Sequence, residues 1–400
     1  MSTPEPPPPE SPLQHLFQLN ADFERFNQKD DVFRRSWYDP SIRTDAAMRF
    51  YSTYRKPLAN FRSADGFRQT DYALRNAAWH ISDLFTEYKE QEDRREGFSD
   101  AFTLNRESAE EKTSFESTAE ATAIVKRVAR QVGAADVGIA RVDPRWLYTE
   151  KFSDMSGTAR PNDITADLTH VIVTVQPMDQ ELVSTVPSAL SGAATGLGYS
   201  HDALVVLALA QFIRNLGYQA VASMNDSSLA IPMAIEAGLG EYGRHGLLIT
   251  PSHGPAVRLG KVFTDMPLDL DSPIDFGVRA FCEQCQRCAS GCPVKAIPAG
   301  EPNTDRHNLS NIKGVRKWSV DGEKCFAYWA KQNTDCAICI RVCPYNRDLT
   351  GWRGRLWRNV AQWAATKRPS LVSLLLKMED TLGRGKRLKP SAWWQNKHRK

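Results

Sequence analysis

The chain has 400 residues, of which 42% are hydrophobic and 24% are charged, and its formal net charge is +4. These values are ordinary for a globular protein and predict one large or two to three smaller domains with a sizeable core. No run of eighteen apolar residues is present, so no membrane-spanning helix is predicted. The N-terminus, MSTPEPPPPESPL, lacks the features of a secretory signal, and no twin-arginine leader is evident. With Met1 as the start, the sequence predicts a cytoplasmic protein.

The positive charge is concentrated at the C-terminal end. Residues 351–400 hold thirteen Lys or Arg and two acidic residues, a net charge of +11, so the first 350 residues carry −7. The overall positive charge therefore does not indicate nucleic-acid binding, and no nucleic-acid partner is expected. The same segment is a candidate for peripheral contact with anionic lipid or for contact with an acidic electron donor, although a solvated surface is the simpler interpretation. It also contains five tryptophans: Trp352, Trp357, Trp363, Trp393 and Trp394.

Helices and strands alternate through the middle of the chain. Residues 1–13 are Pro-rich and predicted to be disordered, and DYALRNAAWHISDLF (71–85) is the one clear helical pattern in residues 20–118. The elements predicted next are a helix over 117–133, strands over 135–142 and 169–178, a helix over 201–217 and a strand over 218–224. Such a pattern predicts an α+β fold in layers. The predicted divisions are an N-terminal extension over 1–117, a core over 118–275, a cysteine-rich unit over 276–350 and a basic segment over 351–400 that packs on the core.

All eight cysteines lie between residues 282 and 343. The first four have the spacing C-x2-C-x2-C-x3-C-P of bacterial ferredoxins, and the last three repeat C-x2-C-x3-C-P. In two-cluster ferredoxins the last cysteine of such a run ligates the other cluster. The long gap after Cys325 departs from a simple ferredoxin. The predicted ligands are Cys282, Cys285, Cys288 and Cys343 for one [4Fe–4S] cluster, and Cys292, Cys325, Cys336 and Cys339 for the other.

Disulfides and zinc sites are the alternatives for these cysteines. Disulfides are disfavoured where no export signal is predicted. Two zinc sites of four cysteines each would use the same thiols, but they would not explain the two Cys-Pro endings or the cross-ligating pattern. With four thiolates on each cluster, no iron stays open for substrate. The clusters are therefore expected to carry electrons rather than to perform bond chemistry.

The segments around the cysteines carry a family resemblance. They are AATGLGYS, MND, AIEAGLGEYGRHGLLITP and GPAVRLGKVFTD, followed by GVRKWSVDGEKCFAYW and CIRVCPYN. Over about residues 118–350 the chain resembles the corrinoid-dependent reductive dehalogenases. The resemblance implies a nitroreductase-like core that holds base-off cobalamin and a ferredoxin-like unit that delivers electrons to cobalt. It implies two-electron reductive cleavage of a carbon–halogen bond.

The resemblance also implies a Tyr, an Asn and an Arg around the halogen pocket. The matching positions are Tyr199 in a GLGYS-type turn as the proton donor, Asn225 in MND and Arg258 in GPAVRL, with Lys261 as a second cationic candidate. A tyrosine is a suitable acid when reduction builds negative charge on the substrate, and a nearby arginine supports proton release. The simpler interpretations are that Tyr199 caps a helix start, that Asn225–Asp226 forms a turn or an N-cap, and that Arg258 pairs with an acid.

Four glycines are predicted to bind the cofactor, and two kinds of partner are expected. The predicted cofactor-binding glycines, which would let the backbone approach a large planar ligand or its phosphate, are Gly196, Gly198, Gly238 and Gly240. No fused reductase module is recognised, so a separate electron donor such as a ferredoxin or a flavin reductase is expected. The expected substrate is an organohalide. The resemblance to cytoplasmic members of the family suggests a halogenated phenol or another halogenated aromatic compound.

Two other functions remain open from the sequence. An epoxyqueuosine-reductase-like tRNA-modifying enzyme would use the same cofactors, but it would need an acidic proton donor near Asp226 and a basic surface for tRNA. A non-catalytic electron-transfer iron–sulfur protein would explain the cysteines but not the roughly 280 residues ahead of them.

Overall fold

The computed structural model describes residues 17–55, 64–91, 108–152, 157–162 and 164–395. The predicted disorder of residues 1–13 falls outside the described residues. The strands are β1 Gln18–Glu24, β2 Asp136–Arg141, β3 Glu150–Phe152, β4 Ala159–Pro161, β5 His170–Pro177, β6 Ala220–Ser223, β7 Glu241–Tyr242, β8 Leu248–Ile249, β9 Val257–Thr264 and β10 Lys313–Arg316. The helices are α1 Val32–Tyr38, α2 Asp45–Arg55, α3 Gln69–Gln91, α4 Thr118–Gln131, α5 Gln180–Ser184, α6 Ala189–Asn215, α7 Ala230–Glu236, α8 Val278–Gln284, α9 Arg287–Gly291, α10 Gly322–Gln332, α11 Ile338–Arg341, α12 Trp352–Lys367, α13 Ser370–Thr381 and α14 Pro390–Trp394.

The core is built on a four-stranded sheet with the order β2-β5-β9-β6, in which every neighbouring pair is antiparallel. Helix α7 packs on one face, and α4 and α6 pack on the other. Because successive side chains on a strand point to opposite faces, Val171 and Val173 of β5 contact the α7 side while Ile172 contacts the α4–α6 side. Both faces are covered, which explains why β5 is buried almost throughout. The chain thus has a mixed α and β architecture.

Helix α6 is the central helix and corrects one prediction. It was expected to begin at residue 201, after a glycine turn, but it begins at Ala189, where the Ser188 side chain accepts a hydrogen bond from the Ser191 amide. The glycine-rich stretch is helical because α3 packs closely against it: a Cβ at Gly196 would lie 2.5 Å from Cδ1 of Trp79. Tertiary packing thus offsets the low helix propensity of glycine.

The same helix is long and apolar. Among the helices that the structure describes, α6 is the one that would be able to cross a membrane by length and composition, and 56% of its apolar window is buried in the protein. It packs between the sheet and α3. This is the environment of a core helix in a globular protein.

The other predicted elements of the core are confirmed to within a few residues. Helix α4 begins after Ser117, whose side chain accepts a hydrogen bond from the Glu120 amide, and the strands β2, β5 and β6 occupy the predicted positions. Strand β9 and the start of α6 were not predicted. The N-cap of α7 is Leu229. The interpretation of Asn225–Asp226 as an N-cap is therefore wrong.

The N-terminal segment packs on the cysteine-rich region. Strand β1 pairs antiparallel with β10, and α2 packs against α10. The buried guanidinium of Arg35 binds Asp39 and Glu323, which joins α1 to α10. Residues far apart in the sequence thus hold the helix that carries Cys325.

Candidate active site and cluster-binding cysteines

The first group of cysteines brings together two distant parts of the chain. Cys282 lies on α8, Cys285 follows it and Cys288 lies on α9. The thiol of Cys343, which follows α11, interacts electrostatically with all three. This grouping agrees with the ligand set predicted for one cluster.

The second group is assembled in the same way. The thiol of Cys336 interacts electrostatically with Cys325 on α10 and with Cys292, which follows α9. The thiol of Cys339 interacts with Cys336 and Cys325, and also with Cys288 of the first group. The two groups are therefore adjacent.

The environment of these thiols suits iron–sulfur ligation. Burial raises the pKa of Cys288 and of Cys336 to about 12, so each thiol would stay protonated without a bound cation. Binding of iron displaces such protons, and thiolates are the usual ligands of iron–sulfur clusters. Among the described residues, no three His, Cys, Asp or Glu side chains are placed for direct coordination of a single metal ion. The donor set fits two four-cysteine clusters.

A buried arginine that the sequence did not single out lies beside the first group. Arg244 donates hydrogen bonds to the carbonyl oxygen of Cys282 at 3.0 and 2.9 Å. It also donates to the carbonyls of Pro298 and Gly300, and its guanidinium lies 4.7 Å from the ring centroid of Trp318. A fixed positive charge here would offset the negative charge of a cluster. The segment EYGRHG contains this residue, but nothing in its spacing indicated the role.

Three of the predicted catalytic side chains meet next to α6. The Asn225 amide nitrogen donates to the Tyr199 hydroxyl oxygen at 2.7 Å, and Nη1 of Arg258 lies 3.5 Å from that oxygen. The Arg258 guanidinium carbon lies 4.8 Å from the Tyr199 ring centroid. All three side chains are partly exposed. We call Tyr199, Asn225 and Arg258 the tyrosine site.

Trp79 packs beside the tyrosine site, and one nitrogen of Arg258 within the site has no hydrogen-bond partner among the described residues. The indole of Trp79 on α3 lies 5.0 Å from the Tyr199 ring, at an interplanar angle of 31°. Nε of Arg258 is buried and has no hydrogen-bond partner among the described residues. An unpaired buried donor is costly unless a ligand satisfies it. The sequence predicted α3 but gave no signal that Trp79 faces this site.

Lys261 does not belong to the tyrosine site. It lies three residues after Arg258 on the regularly paired strand β9, so the two side chains point to opposite faces of the sheet. Its ammonium group is fully buried and donates a hydrogen bond to the carbonyl oxygen of Met224. Met224 directly precedes Asn225. The structure therefore favours a positioning role for Lys261 and does not support contact with the reacting group.

Buried charges surround Lys261. Its charged form is favoured by Asp226 and Asp202 and disfavoured by burial, which has the larger effect and lowers its pKa. The Asp226 carboxylate is fully buried, accepts hydrogen bonds from Ser223 Oγ at 2.6 Å and the Met224 amide at 3.0 Å, and lies 3.5 Å from Nζ of Lys151. These contacts fix the turn between β6 and α7 that carries Asn225.

The glycines predicted to approach a cofactor instead contact the protein. A Cβ at Gly198 would lie 2.8 Å from Cγ of Arg258, and Gly196 lies against Trp79. At Gly238 and Gly240 a Cβ would lie 2.6 and 2.3 Å from backbone carbonyl oxygens. Glycine at 198 therefore has a structural reason, since it lets the Arg258 side chain lie against α6. Cofactor contact by these glycines stays a prediction.

Comparison with protein families gives two matches. Residues 161–268 match the reductive dehalogenase subunit family, and residues 281–346 match the 4Fe-4S double cluster binding domain. The first match contains the whole tyrosine site. The second contains all eight cysteines.

Curated relatives agree with these matches. The tetrachloroethene reductive dehalogenase of Sulfurospirillum multivorans is 36% identical over 304 residues, which cover 70% of this chain and 60% of that protein. The tetrachloroethene reductive dehalogenase of Desulfitobacterium hafniense is 35% identical over 307 residues, which cover 67% of this chain and 55% of that protein. The matched residues thus span between 55% and 60% of the length of these relatives.

Solved structures share the fold. The catabolic reductive dehalogenase NpRdhA in complex with 3-bromo-4-hydroxybenzoic acid superposes with a TM-score of 0.69 at 23% identity, covering 92% of this chain and 48% of that one. A reductive dehalogenase whose structure suggests a mechanism for B12-dependent dehalogenation gives a TM-score of 0.70, also at 23% identity, covering 91% of this chain and 47% of that one. Together with the family matches and the curated relatives, this likeness shows that the chain shares the fold of reductive dehalogenases, matches their family over residues 161–268 and carries a 4Fe–4S double cluster binding domain over residues 281–346.

Proposed function

We propose that the protein is a reductive dehalogenase, which replaces the halogen of an organohalide by hydrogen with two electrons and one proton. The observation that carries the proposal is the tyrosine site itself: a phenol hydroxyl held by an amide donor and a guanidinium, in a chain with two four-cysteine groups. The match of residues 161–268 to the reductive dehalogenase subunit family supports the same reaction.

In this proposal Tyr199 donates the proton. Loss of that proton leaves a negative charge on the phenol oxygen, which the Asn225 amide and the Arg258 guanidinium stabilise from 2.7 and 3.5 Å. Asn225 also fixes the direction of the hydroxyl. Positioned acids of this kind typically contribute about 10²–10⁴-fold to a rate.

The electrons are proposed to pass through two [4Fe–4S] clusters in a ferredoxin-like unit. The electrostatic interaction between the thiols of Cys339 and Cys288 supports transfer between the clusters, because it makes the two cysteine groups neighbours. A separate protein, such as a ferredoxin or a flavin reductase, is proposed as the donor to this unit. With four thiolates on each cluster, the clusters serve as carriers and not as the site of reaction.

We also propose base-off cobalamin, held in a nitroreductase-like core. When bound, it supplies the cobalt centre at which the carbon–halogen bond is broken. The unpaired Nε of Arg258 and the partial exposure of the tyrosine site fit a bound group at this place. The closeness of Gly196 and Gly198 to protein side chains makes them poor candidates for direct contact with it.

The substrate is proposed to be an organohalide small molecule. Two chemical classes make opposite demands on the tyrosine site. A halogenated phenol would bring an anionic or hydrogen-bonding group to Arg258, whereas tetrachloroethene, after which the curated relatives are named, has no polar group to bind. Comparing tetrachloroethene with 3-bromo-4-hydroxybenzoate as substrates therefore separates the phenolic hypothesis from the chloroethene one.

The test of the proposed function is halide release by the holoenzyme. The protein is purified without oxygen in the presence of cobalamin and supplied with a chemical reductant and each substrate class in turn. Chloride or bromide is then measured by ion chromatography. Release by wild type and its loss in Tyr199→Phe support the proposal. A protein that holds cobalt and about eight irons but releases no halide from a broad organohalide panel would contradict it.

The epoxyqueuosine reductase alternative has one observation in its favour. The epoxyqueuosine reductase of Synechococcus sp. is 35% identical over 127 residues, which cover 28% of this chain. An epoxyqueuosine reductase function would need an acidic proton donor near Asp226. Here the Asp226 carboxylate is fully buried and is held by Ser223, Met224 and Lys151. The geometry therefore favours Tyr199 as the acid.

A further inference from the structure

Helix α12 exposes a stripe of apolar side chains that takes no part in the proposed reaction. Its members are Trp352, Leu356, Val360 and Trp363, and the two tryptophans are 65% and 52% exposed. Residues spaced by three or four positions lie on one face of a helix. The opposite face is buried through small residues, among them Ala361 and Ala364. The stripe is therefore left uncovered by the part of the chain that the structure describes.

Helix α13 continues this surface. Leu374, Met378 and the following Leu382 are more than half exposed and recur every four residues. On the opposite face Val372 and Glu379 are buried. Helices α12 and α13 pack against each other and against α8, and their buried residues Ala361, Ala364 and Val372 belong to one apolar cluster with Phe281 of α8. The exposed faces of both helices therefore point away from this cluster. We call these apolar residues of α12 and α13 the C-terminal apolar surface.

The charges around this surface are mostly positive. The exposed cations on and beside the two helices are Arg353, Arg355, Lys367, Arg368, Lys377 and Arg384. In residues 351–395, all of which the structure describes, the acids are Glu379 and Asp380. Glu379 is bound by Arg347, and Asp380 accepts a hydrogen bond from Arg287 at 2.6 Å. Both acids thus have partners outside the two helices, and the surface itself presents positive charge around an apolar centre.

We propose that the C-terminal apolar surface binds an anionic lipid bilayer. Tryptophan is enriched at the boundary between lipid and water, and here Trp352 and Trp363 lie near the two ends of α12. Aliphatic side chains between tryptophans, flanked by Lys and Arg, are the pattern of helices that lie in the plane of that boundary. An apolar surface alone would fit many partners. The mostly positive rim favours a negatively charged one.

The orientation of the bound protein follows from the packing. Helix α8 packs against the buried faces of α12 and α13 and carries Cys282. A bilayer on the C-terminal apolar surface would therefore lie on the side of the first cysteine group. The inference does not depend on dehalogenation, since lipid binding is measured without substrate.

Vesicle flotation of the holoenzyme tests this proposal. Vesicles of phosphatidylcholine with 30% phosphatidylglycerol are compared with vesicles of phosphatidylcholine alone, at low and high salt. We expect binding to the anionic vesicles, at least tenfold weaker binding to the neutral ones, and weakening by salt. Leu356→Ser with Trp363→Ser, and separately Arg353→Gln with Arg355→Gln, should each reduce the bound fraction at least threefold. Leu309→Ser is the matched control, because Leu309 is 50% exposed elsewhere on the surface.

Three results would overturn the proposal. One is no flotation of the wild type with anionic vesicles. Another is flotation that the paired substitutions leave unchanged. The third is a wild-type dimer, seen by light scattering, that does not bind vesicles and becomes a monomer in Leu356→Ser with Trp363→Ser, since a second copy of the chain would then be the occupant of the surface. Iron content and circular dichroism of each variant establish that it is folded.

Discussion

The cysteine groups and the tyrosine site differ in how their residues are spaced along the chain. Most cysteines lie within four positions of the next, and in such runs the spacing itself determines which thiols reach one cluster. The tyrosine site joins Tyr199 to Asn225, 26 residues away, and to Arg258, 59 residues away. Its geometry depends on how α6 packs on the sheet. A local motif can therefore be interpreted from spacing alone, whereas a site assembled by tertiary structure can not.

The largest expected effect is the loss of a whole cluster, which tests the assignment of the cysteines to the two cysteine groups. Cys292→Ala should remove the cluster that Cys325 also binds and leave about four of about eight irons. Adding Cys325→Ala should cost no further iron, because both residues serve the same cluster. Adding Cys285→Ala should remove the remainder. Iron is measured per chain, together with the electron paramagnetic resonance of the reduced protein.

The opposite pattern would contradict the assignment. If Cys292→Ala with Cys285→Ala retained one intact cluster, and Cys292→Ala with Cys325→Ala retained none, Cys292 and Cys285 would belong to one cluster. The cross-ligation between the two cysteine runs would then be wrong.

Tyr199→Phe tests the role of the tyrosine site. The phenyl ring keeps its packing against Trp79 but loses the hydroxyl. We expect turnover to fall about 10²–10⁴-fold, which is the range for loss of a positioned acid, with unchanged iron and cobalt content. Near wild-type turnover in halide-release assays would remove Tyr199 from the mechanism.

Lys261→Met and Arg258→Met form a matched pair on opposite faces of β9. Loss of the buried Lys261 charge removes one of the cations that interact with Asp226 and Asp202 and should lower the free energy of unfolding by about 3 kcal/mol. Arg258→Met should lower turnover much more than stability, because Arg258 is partly exposed and faces the tyrosine site. Chemical denaturation and turnover of the folded fraction separate the two effects. Equal losses of stability in the two variants would contradict the assigned roles.

The smallest expected effect concerns Asp202, which lies on α6 close to Gln176, Lys261 and Arg258. Burial raises the pKa of Asp202 from 3.8 to about 7, against the opposing effects of these neighbours. The folded protein then holds a proton that the unfolded chain loses near pH 4, so this group contributes stability that declines between about pH 4 and 7. Asp202→Asn, which stays neutral, should remove that decline. Denaturation midpoints at pH 5 and 7.5 that shift equally in both proteins would contradict the prediction.

The sequence predicted much of the core because its elements carry local signals. The β-branched runs of β2 and β5 and the capped start of α4 appear in the structure close to the predicted bounds. The start of α6 was missed because glycines normally interrupt a helix, and here α3 packs against them. The wrong grouping of Lys261 with Arg258 had a similar cause, since β9 was not recognised as a strand and its alternation of faces was not applied.

Metal content is the measurement that tests the central claim most directly. The protein is purified without oxygen in the presence of cobalamin, and iron and cobalt are measured per chain alongside the visible spectrum. The account predicts about eight irons and about one cobalt per chain, with the spectrum of a base-off corrinoid. About eight irons with no cobalt retained would leave the cysteine clusters in place, but it would contradict the proposed corrinoid dehalogenase and favour an electron-transfer protein.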